Sequence, residues 1–138
     1  MEDLDFLSAA RNVKDVDALR DAVACLTKRS VAPSLAELLL EDWHDSHEDI
    51  VLELGLIGDP STVGSIAKAI HIPFDHLVKW GNLHEFQRKC AYALARIGTP
   101  ESRDALEAIA KHSDPNLRAY GEEGLQHWPM PYEGDQYA

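Results

Sequence analysis

Two His-Glu pairs, His47-Glu48 and His84-Glu85, bring together the residue types best suited to chemistry. Imidazole nitrogen and carboxylate oxygen ligate iron or zinc where three or four donors converge. Register argues against convergence here. His47 stands seven residues before Leu54 and His84 ten before Leu94, and Leu54 and Leu94 are equivalent positions of a repeated motif. A shift of three residues is about 300° around a helix and about 4.5 Å along it. His44 and Asp45 adjoin His47 and Glu48, but proximity alone makes no ligand set, and a solvated polar loop is the simpler reading. No glycine-rich phosphate loop, nucleophile elbow or close cysteine pair is present. Cys25 and Cys90, sixty-five residues apart in helical patterns, read as buried free thiols. The expectation is no catalytic residue, no cofactor and no metal.

Charge is the second signal. The chain carries a net −11, unevenly placed. The first twenty-nine residues are nearly balanced, whereas from Ser30 to Ala67 there is no Lys or Arg against eight acids. Such a field repels nucleic acid and anionic membranes and attracts a basic protein. Glu37 and Glu41 lie one helical turn apart on one face. Asp42, Asp45, Glu48 and Asp49 follow, with Trp43 among them, an aromatic of the kind that anchors interfaces.

The elements that must hold these residues follow from a repeat. Leu54-Gly55-Leu56-Ile57-Gly58-Asp59-Pro60 returns forty residues later as Leu94-Ala95-Arg96-Ile97-Gly98-Thr99-Pro100. Asp59-Pro60, Thr99-Pro100 and Asp114-Pro115 each pair an N-cap acceptor with proline at the first helical position. Gly58 and Gly98 stand where a preceding helix ends left-handed. The punctuation predicts helices over 15–28, 33–42, 46–57, 60–70, 82–97, 100–111 and 115–128, with an extra one over 3–11. Ser46 and Asn82 are the expected caps of two of them, Asp49 completing a capping box with Ser46, and 60–70 is expected to pack on 46–57. Residues 72–81 form an insertion with one helical piece, where Phe74, His76 and Trp80 are candidate partner contacts. Residues 1–128 make one domain, and the Pro-containing tail 129–138 reads as extended or mobile.

These units resemble the short HEAT-like repeats of the phycobilin-lyase type. Cys90-Ala91-Tyr92-Ala93-Leu94-Ala95-Arg96-Ile97-Gly98-Thr99-Pro100 matches that pattern well, Ile50–Pro60 more loosely, and Asp114-Pro115-Asn116-Leu117-Arg118 keeps its Asp-Pro-x-Val-Arg signature. The Arg slot survives only at Arg118, with Gln87 and His47 elsewhere. The resemblance implies an all-α, right-handed solenoid of about three helical hairpins plus the extra N-terminal helix. Deoxyhypusine hydroxylase resembles this architecture and holds two irons with His-Glu pairs in four in-register repeats. The two pairs here are out of register, which counts against a metal-dependent hydroxylase-like enzyme.

A compact, acidic HEAT-like chain is also similar to the immunity proteins of bacterial toxin systems, which occupy a toxin's cationic site. The expected function is therefore a non-catalytic interaction module that binds a basic protein, such as a cognate toxin, through Glu37, Glu41, Asp42, Trp43, Asp45, Glu48, Asp49, Phe74, His76 and Trp80. A scaffold or chromophore-lyase-like subunit is the alternative. The acidic start and the lack of a long apolar run point to a cytoplasmic protein without a membrane span.

Overall fold

The computed structural model describes residues 2–132 and 136–137. Among them the chain is all-helical, with nine α-helices and no strand. They are α1 (Asp3–Val13), α2 (Val16–Ala24), α3 (Ala32–Leu39), α4 (His47–Ile57), α5 (Val63–Ala69), α6 (Asp75–Lys79), α7 (Leu83–Ile97), α8 (Pro100–Ala110) and α9 (Pro115–His127). Short 3-10 turns, Arg29–Val31 and Pro60–Thr62, lead into α3 and α5.

Local chemistry sets most boundaries. The Asp15 side chain accepts from Ala18 N–H, Asp114 accepts from Asn116 and Leu117, and Thr99 and Ser102 satisfy each other's N–H at the start of α8. Each such acceptor satisfies a backbone donor that the helix itself leaves unpaired. Gly58 and Gly98 end α4 and α7 with φ of +74° and +68°, the left-handed conformation in which a side chain would be strained. Ser46 does not cap α4, and no box forms with Asp49. Its ψ of 15° is not extended, its side chain makes no cap bond, and its Oγ is buried without a partner. Asn82 likewise occupies the N-cap position of α7 without a side-chain bond.

Packing centres on α7, which lies against α4, α8 and α9; α8 in turn packs on α9, α3 on α4 and α1 on α2. Leu35, Leu39, Ile50, Leu54, Ile66, Phe86 and Leu94 are fully buried in the shared core. One expected pairing differs. The short α5 lies chiefly against α3, α7 and α8 rather than against α4. The 3-10 turn at Pro60–Thr62 replaces its first helical turn and leaves it only seven residues long.

Cys90 is buried, but Cys25 is exposed. Cys25 falls just past the end of α2, whose inward face is already filled by Leu19 and Val23. In the tail, Met130 N–H donates to Ala95 O, while Tyr137 is buried and donates its hydroxyl to Glu53 at 2.6 Å.

Candidate functional site

The acidic run is not a bare negative face. Arg11, at the end of α1, donates to Glu37 at 2.8 Å and also to Glu41. Arg20 of α2 reaches both carboxylate oxygens of Asp45, at 2.8 and 3.0 Å, and Lys89 of α7 holds Glu48 at 2.7 Å. Four of the six candidate acids are therefore matched by cations from outside the Lys- and Arg-free stretch. Asp42 and Asp49 are exposed, and no ion pair involves either among the described residues.

Trp43 lies over the core, half-buried, with its indole N–H donated to Glu41 at 2.8 Å. Beside it, three histidines form a cluster, His44 and His47 buried and His76 half-buried. His44 Nε2 donates to Leu38 O at 2.7 Å, which leaves Nδ1 to accept from Ser46 N–H. His47 Nε2 faces the Glu41 carbonyl at 2.6 Å and must be the protonated nitrogen, because a carbonyl only accepts. His47 Nδ1 then accepts from His76 Nε2–H at 2.8 Å. The His47 ring is stacked between His44, at 4.2 Å between centroids, and Phe74, at 3.7 Å. His47 is fully buried, and burial, assisted by the neighbouring His44, pushes its pKa down to about 3. Burial also lowers His44 and His76. This is a set of neutral imidazoles used as hydrogen-bonding cement.

The cluster explains how two separate sequence features meet. It fixes the insertion, through Phe74 and His76, against the loop between α3 and α4. Two adjoining hollows result, of about 540 and 410 Å³, which share Asp42, Trp43, Ile72 and Phe74. Asp45, Asp75 and His76 line the second hollow, and Arg11 and Lys14 line the first. Of the insertion candidates, Phe74 is buried and forms the floor of this cleft. His76 is half-buried on its wall, and Trp80 stands outside it, 58% exposed, edge-on to His76 at 5.2 Å. Glu37 and Glu48 are not on its lining.

The His-Glu pairs do not come together. Glu48 turns to Lys89, and the His84 ring lies 6.4 Å from that of Tyr120 on α9. Among the described residues no three His, Cys, Asp or Glu side chains are grouped as a metal would require, and the 2.8 Å between His47 and His76 is hydrogen-bond spacing.

Val16, Ile72 and Asp75 are cleft residues that the sequence did not single out, and Arg11, Arg20 and Lys89 are ion-pair partners it did not foresee. One signal was available for the first two of these cations: the near-balanced N-terminal segment holds basic residues that the acidic run lacks. Comparison with protein-family models, curated proteins and solved structures finds no match to this chain.

Proposed function

We propose that the chain is a non-catalytic interaction module that binds a basic protein at the cleft between the α3–α4 loop and the insertion. In its most specific form it is a cytoplasmic immunity protein that covers the cationic site of a bacterial toxin. The observation that carries this reading is the placement of Asp42 and Asp75, both exposed and free of described ion pairs, on a cleft with Trp43. A Lys or Arg entering there would meet carboxylates not already engaged, beside an indole that favours cations. The net charge of −11 would steer such a partner toward the chain from a distance. A right-handed solenoid of about three HEAT-like hairpins is the matching architectural reading. It is supported by two rows of neighbours, α2, α4, α7 and α9 in one and α3, α5 and α8 in the other.

The test begins with capture from the source cell at low salt, followed by affinity measurements on the basic protein recovered. The Asp42→Lys/Asp75→Lys chain should bind it at least about tenfold more weakly, with a reduced salt dependence. Asp104→Lys/Glu122→Lys makes the same change in net charge at exposed sites on α8 and α9 and should lose much less. Equal losses in both would reduce the effect to bulk charge and overturn the cleft.

A further inference from the structure

α1 carries a second apolar stripe that its own fold does not use. Leu7 and Ala10 are its buried residues, yet Phe6 and Val13 are 50% and 75% exposed. Phe6, Ala9 and Val13 follow helical spacing along one outward face. Across from it stand Ala18 and Ala22 of α2, partly buried against the core, and the exposed Cys25 just past that helix, about 100° around from the inward Leu19 and Val23. Together these residues line a groove of about 590 Å³. Apart from Asp15 and Asp21, every residue that lines it is apolar. Alanines along both walls keep it wide enough at the base for side chains from another helix to enter, as in ridge-and-groove packing.

The charge around the groove states what should fill it. Its charged lining residues are Asp15 and Asp21, both exposed and both acidic. The nearby guanidinium groups are already occupied, Arg11 by Glu37 and Glu41, Arg20 by Asp17 and Asp45. A second copy of this chain fits poorly, since a two-fold contact would bring the same acids together on two molecules of charge −11. We infer that the α1–α2 groove receives an amphipathic helix of a partner protein, its apolar stripe seated on Phe6, Val13 and the alanines and its flanking Lys or Arg residues facing Asp15 and Asp21. This is the helix-in-groove mode of recognition, with anchors expected at i, i+3, i+4 and i+7. The site does not depend on the Asp42–Asp75 cleft.

The probe is a Leu/Lys model helix of about 14 residues with leucine at those four spacings, titrated into isotopically labelled chain and followed by NMR. Amide shifts should gather on Phe6, Ala9, Val13, Ala18, Ala22 and Cys25. An Ala/Lys peptide of equal charge and a Leu/Glu peptide of equal apolarity should each bind at least about tenfold more weakly, because each lacks one half of the match. Val13→Asp and Phe6→Ser, both at exposed positions, should each weaken the Leu/Lys peptide about tenfold. Equal binding of the three peptides overturns the proposal. So do shifts confined to Asp42, Trp43 and Asp75, which would report the other cleft alone. Concentration-dependent dimerisation abolished by Phe6→Ser would also overturn it, by assigning the groove to a second copy.

Discussion

His47 Nδ1 lies 2.8 Å from His76 Nε2, and this bond joins the first residue of α4 to the insertion helix α6. The bond holds only while His47 is neutral or His76 gives up its Nε2 proton, since two N–H groups cannot point at each other.

Stability should therefore depend on pH well above the carboxylate range. Folding depresses the pKa of His47 to about 3, against about 6.5 for an unfolded histidine. The unfolded chain binds the extra proton between those values, so the contribution is whole above about pH 6.5 and is lost as pH falls toward 3. His44 and His76 are lowered too and act with the same sign, although Asp45 and Glu48 partly counter the shift at His76. Glu123, held down to about 2 by Arg88 and Tyr92, adds its own loss only below about pH 4.5. Urea midpoints should accordingly fall between pH 7 and pH 5. His47→Gln should be less stable at pH 7 yet flatter across that window, and an unaltered slope would remove His47 as its source.

Three glycines should respond to alanine in opposite directions. At Gly121 of α9 an added Cβ would lie 2.4 Å from Ala110 N and 2.8 Å from its Cα, which are backbone atoms of α8 and cannot swing aside. Gly121→Ala should cost about 3 kcal/mol as the two helices are forced apart. At Gly124 the nearest obstacle is the end of the Leu106 side chain, which can rotate, with Ala91 O behind it at 3.2 Å. That substitution should cost about 1 kcal/mol. Gly64 in α5 meets nothing within 4 Å, so Gly64→Ala should stabilise by up to about 1 kcal/mol through helix propensity. Chemical denaturation of the three variants checks the order.

Helix ends were legible in the sequence wherever a short side chain meets its own backbone. Asp59, Thr99 and Asp114 all accept local N–H bonds, and each was visible as an acceptor before a proline, whereas Asp15, expected as the first residue of its helix, turns out to cap it. Ser46 has the same composition but a different ψ, which the neighbouring His44 helps to set by accepting its N–H. The tight seat of Gly121 could not be read, because nothing near it in sequence marks α8 as its neighbour. The site was legible in its parts and not in its assembly. The acids and the insertion were both evident, but Arg11, Arg20 and Lys89 lie twenty-five or more residues from the carboxylates they bind across the fold. The His47–His76 bond, spanning twenty-nine residues, likewise follows from tertiary packing.

The two thiols should separate cleanly in labelling. Cys25 is exposed, whereas Cys90 is buried and desolvation raises its pKa well above the usual thiol value. The thiolate is the reactive species, so Cys90 is protected both by access and by protonation. Iodoacetamide at pH 8 should add one group to the native chain, at Cys25, and a second only in denaturant. Mass spectrometry of the peptides reads this directly, and modification of native Cys90 would show that α7 opens locally.

Arg11 should set the ionisation of Glu41 and, through it, the environment of Trp43. Burial by itself would raise the Glu41 pKa, but hydrogen bonds from Trp43 and Arg11 outweigh it and the net shift is downward. Arg11→Gln removes the cation while leaving the indole bond in place. The Trp43 indole N–H resonance should then titrate at a higher pH than in the parent chain, as expected for loss of one close opposite charge. Stability at pH 7 should change by less than about 1 kcal/mol, since the Arg11 pairs are partly solvent-accessible and screened. A midpoint that stays in place would mean that the Trp43 bond alone keeps Glu41 ionised, with Arg11 contributing no more than a screened surface charge.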